Sequence, residues 1–210
     1  MIHVPSLAIP ACFCAIIFAS LVLGAENLQW DWRRSVDLEA NQTLRKAKVT
    51  KTERIAIARI IAHQFRPDMR DYEIESEQQR EDMVLDTRVK MVDLNGDGIP
   101  EVIAQGTNKQ GCSPTGNCPF WILQQSGHEY RLLFEWEAIQ SFTIQPGRTN
   151  GFSDIVIKQH GGYNQSGITL LRYGEGVYRE AGCWGAYWFV REGDTVRDLK
   201  EPRLVPCGEE

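Results

Sequence analysis

The sequence predicts a mainly β chain with an N-terminal helix, an α+β arrangement whose strands pair as antiparallel, blade-like hairpins. Three observations carry this. Apolar residues recur at helical spacing over residues 51–65 and change to alternate spacing after Thr87. Turn-forming dipeptides then punctuate the chain between short apolar runs. A turn followed by a strand also recurs after roughly fifty residues, the mark of an internal repeat.

The bulk properties are those of an ordinary globular chain. Of 210 residues, 42% are hydrophobic and 24% charged, enough to bury one core or two small ones. A formal net charge of -5, with no clustered Lys and Arg, speaks against a nucleic-acid binder, because phosphate neutralisation needs a basic patch.

Residues 1–25 read as a secretory signal. Leu7 to Leu23 is almost wholly apolar and uncharged, closes on Gly24 and Ala25, and turns polar at Glu26. An uncleaved anchor is the alternative, since only His3 precedes the apolar run and Leu23 is large for a cleavage site. Pro5 and Pro10, however, shorten the usable helix below the roughly 20 residues that span a bilayer. The expected location is therefore secreted or periplasmic, with no membrane contact after signal cleavage.

Residues 26–86 form an N-terminal segment. Its first part mixes Trp30, Trp32 and many charges without a clear period and reads as a leader that docks on the core. Thr50 and Glu53 then make a capping-box pattern, Ile57, Ile60, Ile61 and Phe65 share a helical face, and Pro67 supplies the stop. The acidic stretch Asp68 to Asp86 reads as a solvated linker or a second polar helix.

Residues 87–210 form the β domain. Val89 and Met91 alternate into a glycine-rich turn that Val102 and Ile103 leave, and Phe120–Leu123 with Tyr130–Phe134 bracket a hairpin at Ser126-Gly127-His128. The pattern repeats: Asn150 to Asp154 followed by Ile155–Ile157 parallels Asp97 to Glu101 followed by Val102–Ala104. Thr169–Leu171 and Val177–Arg179 then parallel the earlier hairpin.

Loss of the signal removes Cys12 and Cys14 and leaves Cys112, Cys118, Cys183 and Cys207, an even set for which an oxidising compartment predicts disulfides. Three pairings are open. Cys112 and Cys118 flank the short Ser-Pro-Thr-Gly-Asn and are expected to pair locally, leaving Cys183 to Cys207. The spacing does not suit paired zinc knuckles.

The turn Asp93-Leu-Asn-Gly-Asp-Gly-Ile-Pro-Glu101 carries more oxygen than a hairpin needs. Asp93, Asn95 and Asp97 stand at alternate positions, Gly98 permits a sharp bend, Ile99 can offer its carbonyl, and Glu101 adds a carboxylate. Calcium takes six to eight hard oxygens at flexible distances, and this spacing wraps such ligands around one point. An EF-hand is rejected, because its twelfth position would be Ala104 and its flanks read as strands. The segment instead resembles the strand-loop-strand calcium turns of FG-GAP and VCBS-type repeats, over roughly Thr87 to Tyr178. The resemblance implies a partial propeller or compact sheet, with Asp93, Asn95, Asp97, the Ile99 carbonyl and Glu101 holding a structural calcium ion. Pro146, Arg148 and Asn150 occupy the matching places of the second unit, where no ion is expected; the Phe-Gly and Gly-Ala-Pro signatures are missing.

No nucleophile elbow, zinc-protease helix or phosphate loop is present, and His63, His128 and His160 have no partner assignable from sequence. Enzymatic activity is not expected. For binding, the glycine-rich stretch Gln159 to Gly167, with His160, Tyr163, Asn164 and Ser166, reads as a recognition loop or a plain connector, and the Cys112–Cys118 loop is similarly poised. Trp184, Tyr187 and Trp188 read as core rather than as a sugar platform. Asn41 and Asn164 begin glycosylation sequons. These features predict an exported, non-enzymatic binding or scaffold module whose partner is a protein or glycan of the extracytoplasmic space. Two alternatives stand beside it. Small exported β proteins with such a turn are similar to periplasmic lysozyme inhibitors, which implies an inhibitor or immunity protein of a cell-wall hydrolase; a secreted hydrolase assembled from distant residues is the other.

Overall fold

The computed structural model describes residues 31–33, 38, 42–64, 76–127 and 129–209. The residues read as a signal, Trp30, Asn41, Phe65, Pro67, residues 68–75 of the acidic stretch and His128 lie outside the described residues. Among the described residues two α-helices, α1 (Lys51–Gln64) and α2 (Glu77–Val84), precede nine strands: β1 (Arg88–Val92), β2 (Glu101–Gln105), β3 (Cys118–Ser126), β4 (Glu129–Ile139), β5 (Ser141–Thr149), β6 (Phe152–His160), β7 (Gln165–Gly174), β8 (Val177–Glu192) and β9 (Thr195–Pro206). They form two antiparallel meanders, β1-β2-β3-β4 and β5-β6-β7-β8-β9.

Each helix starts on a reciprocal cap. Glu53 N–H donates to Thr50 Oγ1 at 3.2 Å while Thr50 N–H donates to Glu53 Oε2 at 2.7 Å, and Ser76 with Gln79 does the same for α2. Ile57, Ala58, Ile61 and Ala62 are the buried face of α1. They pack with Val84 of α2 and Leu44 against Val89, Val102, Ala104, Trp121, Leu123 and Tyr130, which cover one face of the first sheet.

The opposite face meets the second sheet. Strand alternation sends Ile103, Phe120, Ile122 and Leu133 there, where they interlock with Phe142, Phe152, Ile155, Ile157 and Leu171. The far face of the second sheet buries Val156, Ile168, Leu170 and Ala186 under Trp32, with Trp184, Trp188 and Leu204 partly buried beside them. Trp184 and Trp188 thus pack against apolar neighbours, and Trp188 meets Trp32 edge-on at 5.9 Å. The layers run helices, first sheet, second sheet, N-terminal segment; each fully buried Ile, Leu or Phe contributes about 1.5–3 kcal/mol.

The chain crosses between sheets at Gln140. Buried Gln105 donates through Nε2 to the carbonyls of Ile139 (3.1 Å) and Gln140 (3.3 Å), and Gln159 Nε2 reaches Ala138 O at 2.7 Å, so the crossing is tied to both sheets. Within the second sheet, Asn150-Gly151 and Glu175-Gly176 close two-residue turns with positive φ at both positions (50° and 87°; 52° and 87°), the twist that suits a tight hairpin. Among the described residues no helix is long and apolar enough to cross a membrane.

Two outcomes test the cap. Thr50→Ala should lower stability by about 1 kcal/mol, or roughly 2–4 °C of melting temperature for a chain of this size, read by thermal circular dichroism. The Thr50 backbone and hydroxyl hold the Glu53 carboxyl below the usual range. A depressed acid stabilises the fold above its unfolded pKa, and that contribution fades as pH falls through the folded one. Urea titrations from pH 7 to pH 3 should therefore show a smaller acid-induced loss for Glu53→Gln than for the wild type.

Candidate functional site

The acidic turn connects β1 to β2 and curls around Asp93. The Asp93 carboxylate accepts from Gly96 N–H at 2.6 Å and Gly98 N–H at 3.0 Å, while Asn95 Oδ1 accepts from Asp97 N–H at 2.9 Å and Asp97 Oδ1 from Ile99 N–H at 2.7 Å. Gly98 sits at φ +85°, which makes the tight bend accessible without strain. Burial pushes the Asp93 carboxyl up, but the converging N–H groups of Gly96, Gly98, Asp97 and Asn95 outweigh it and hold the carboxyl below its ordinary value. Asp93 and Asp97 are exposed, and Ile99 is 50% exposed, an apolar side chain held in solvent by a turn whose backbone is otherwise committed.

Glu101 behaves differently. It is 1% exposed, with Oε2 accepting from Leu94 N–H at 2.8 Å and Oε1 from Gln124 Nε2 at 3.0 Å. Burial first, helped by the charge of Asp97, pushes its carboxyl up against those two hydrogen bonds. Gln124 passes the connection on: its Oε1 accepts from the Arg131 guanidinium, whose Nη2 also donates to Tyr173 Oη at 3.1 Å and whose Nη1 reaches Gly176 O at 3.3 Å.

Leu94, the one aliphatic residue in the first half of the turn, is fully buried in the core between the sheets. Its carbonyl accepts from Ser153 N–H at 2.8 Å, which bolts the acidic turn to the start of β6. Tyr178 Oη donates to Ser153 O at 2.8 Å, and burial, followed by the charges of Glu101 and Asp154, pushes its phenol up so that it stays a donor. Arg148 lies beside the turn, within 3.2 Å of where a Cβ on Gly96 would stand, and donates to Gly151 O at 2.9 Å.

The donor chemistry of the turn fits a hard cation. Asp93, Asn95, Asp97, the Ile99 carbonyl and Glu101 offer oxygen only, and each carboxylate oxygen that accepts one N–H keeps a further lone pair. As the side chains stand, Asn95 Nδ2 donates to Asp97 Oδ2 at 2.8 Å, and among the described residues no three His, Cys, Asp or Glu side chains are gathered into a metal-holding group.

A second constellation lies at the opposite end of the strands. Cys112–Cys118 and Cys183–Cys207 are disulfides. The short loop closed by the first presents Asn117, whose Nδ2 donates to His160 O at 2.8 Å while its Oδ1 accepts from His160 N–H at 2.7 Å. This pair of hydrogen bonds to one carboxamide clasps the cysteine loop of the first sheet to the end of β6 in the second. The connection that follows is shorter than the glycine-rich composition suggests. Gln159 and His160 belong to β6, and Gln165, Ser166 and Gly167 to β7, leaving Gly161–Asn164 as the turn. Gly161 N–H donates to Gln165 O at 3.0 Å, Trp188 N–H to Asn164 O at 2.9 Å, and Asn164 Nδ2 to Asp198 Oδ1 at 3.3 Å. Ser166 is only 8% exposed and pairs across to His160 and Ala186, whereas Tyr163 is 77% exposed at the tip. Of the four recognition residues expected from sequence, His160 is engaged through its backbone and through ring Nδ1, 2.6 Å from Gly161 O, Asn164 braces the turn, Ser166 lies in the sheet, and Tyr163 projects from the tip as an exposed aromatic side chain.

Sequence reasoning missed Leu94, Gln124, Asn117 and Asp198. Leu94 carries a signal, an apolar residue among acids where solvent exposure would favour none; the other three are ordinary polar residues whose partners are remote in sequence.

If Leu94 anchors the turn, Leu94→Ala should cost about 2–5 kcal/mol through the cavity it leaves, measured by urea denaturation, whereas Ile99→Ala should change stability by less than about 0.5 kcal/mol as an exposed substitution does. Comparison of the chain with protein-family models, with curated proteins and with solved structures finds no match in any of the three.

Proposed function

We propose that the protein is an exported, non-enzymatic binding module that presents a braced polar edge to a protein or glycan partner outside the cytoplasm and is stabilised at its other end by one structural calcium ion. The observation that carries the binding role is the edge itself. A disulfide loop and a hairpin turn from different sheets are clasped by Asn117 and His160, with Tyr163 projecting from the braced tip. Ordering loops before association lowers the entropic cost of docking, and an aromatic side chain supplies contact area with few torsions to freeze.

Calcium enters through the acidic turn, with Asp93, Asn95, Asp97, the Ile99 carbonyl and Glu101 as the ligands that the likeness to FG-GAP and VCBS-type turns implies. The ion would neutralise the carboxylates and draw their oxygens together at the cost of the Asn95–Asp97 hydrogen bond. Because the turn is bolted to Ser153, that gain would be felt by both sheets.

Two measurements test this reading. Calcium added to chelator-stripped protein should raise the melting temperature. At one hundred times the dissociation constant the gain is about 2.7 kcal/mol, roughly 5–10 °C for a chain of this size. Asp97→Ala should abolish that calcium response; a flat response in the wild type removes the ion from the proposal. For the edge, binding should be measured against an array of cell-envelope glycans and a panel of lysozymes. Tyr163→Ala should weaken the interaction found by about tenfold or more, the scale of an aromatic anchor, with the melting temperature unchanged. An interaction indifferent to Tyr163, or none across both panels, rejects the edge as the binding surface.

A further inference from the structure

A cavity of about 420 Å³ opens beside the first disulfide, lined by Asp86, Arg88, Thr107, Asn108, Lys109 and Cys112. Cys112 is half-buried at its wall, whereas Cys118 is 4% exposed behind it. The two sulfurs are therefore unequal in access. They are also unequal in electrostatics, because Arg88 Nη2 lies 3.7 Å from Cys118 Sγ and also donates to Gly106 O at 3.1 Å. Lys109 Nζ stands at the mouth, 3.2 Å from Asp86 Oδ2, and Arg45 Nη2 approaches the same carboxylate at 3.3 Å. One carboxylate is thus shared by two cations, and a third, Arg88, lines the same cavity.

We propose that Cys112–Cys118 is a thiol-exchange site that accepts a small anionic thiol, with Cys112 as the sulfur attacked and Cys118 as the leaving group. Exchange proceeds by attack of a thiolate on one sulfur of a disulfide, and the sulfur whose thiolate is better stabilised departs. Here the incoming thiolate bonds to Cys112 Sγ from the cavity as the Cys112–Cys118 bond breaks. The bonding electron pair leaves on Cys118 Sγ, where the Arg88 guanidinium faces the new charge. A second small thiolate then attacks the outer sulfur of the mixed disulfide, and Cys112 departs as a thiolate that takes a proton from solvent. Two small thiols are oxidised to one small disulfide, and the protein disulfide gains the two electrons. This goes beyond the binding-module reading and does not rest on it or on calcium. Its structural consequence is local, since opening the bridge removes the covalent closure of the loop that holds Asn117 against His160.

The test uses the whole protein, incubated separately with glutathione, an anionic thiol, and with 2-mercaptoethanol, a neutral one, then quenched and mapped by peptide mass spectrometry. The mixed disulfide should form on Cys112. Arg88→Gln should slow exchange at this bridge by about three- to tenfold with both thiols, the scale of a leaving thiol whose pKa rises by one to two units. Lys109→Gln, an exposed substitution that leaves the bridge and Arg88 in place, should slow glutathione by about two- to threefold and leave 2-mercaptoethanol unaffected, as loss of one steering charge does. The Cys183–Cys207 bridge of the same molecule is the internal standard, and neither substitution should alter its rate. A mixed disulfide on Cys118, resistance of this bridge to both thiols, or equal rates in Lys109→Gln and wild type with glutathione would overturn the proposal, whatever the folding of Arg88→Gln.

Discussion

Everything at one end of the molecule depends on how Leu94 is held. Its side chain is buried between the sheets, its N–H is given to the Glu101 carboxylate, and its carbonyl is taken by Ser153 N–H. A buried carboxylate is costly unless its oxygens are satisfied, and Glu101 is satisfied by Leu94 on one oxygen and Gln124 on the other. The arrangement therefore closes on itself: Glu101 needs Leu94 N–H, and Leu94 brings the turn into the core where Glu101 lies. Loss of either leaves an unpaired buried polar group rather than a relaxed loop.

This closure sets the β1–β2 turn apart from the β5–β6 turn. The latter reverses its strands with Asn150-Gly151, two residues at positive φ. The β1–β2 turn is much longer and is held by side-chain oxygens accepting from its own backbone. Arg148 of β5 lies against Gly96 of that turn. The two turns are thus complementary neighbours, one rich in carboxylates and one supplying a guanidinium beside it.

What could be read from the sequence follows from locality. The capping pair Thr50 and Glu53, the hairpin at Ser126-Gly127 and the pairing of Cys112 with Cys118 are set by residues a few positions apart, and each appears in the structure. The change from helical to alternate periodicity likewise marks where sheet begins, because it reflects which face is buried. Contacts between sheets were illegible. Ser153 meets Leu94, and Asn117 meets His160, only once register and packing are fixed, and no spacing encodes them. The stretch Gln159 to Gly167 was misleading for a related reason: its polarity suggested a loop, but ladder pairing of His160 with Ser166 and of Ser166 with Ala186 draws most of it into strands. Backbone hydrogen bonding overrode composition there.

Antiparallel meanders sort their connections to alternate ends, and this decides what each end can do. The turns β1–β2, β5–β6 and β7–β8 share one end, where Glu101, Gln124, Arg131 and Tyr173 form a polar chain between the sheets. The connections β2–β3 and β6–β7 share the other, where Asn117 grips His160. β2 runs from Glu101 to Gln105 between them, about 13 Å at the usual strand rise. At that distance an ion held at the acidic end touches nothing at the polar edge and is separated from it by more than a Debye length at physiological salt. Its influence there can pass only through the stiffness of the sheets. An ion held there would then stabilise the fold without bridging a ligand, and the edge is braced by a carboxamide and a disulfide of its own.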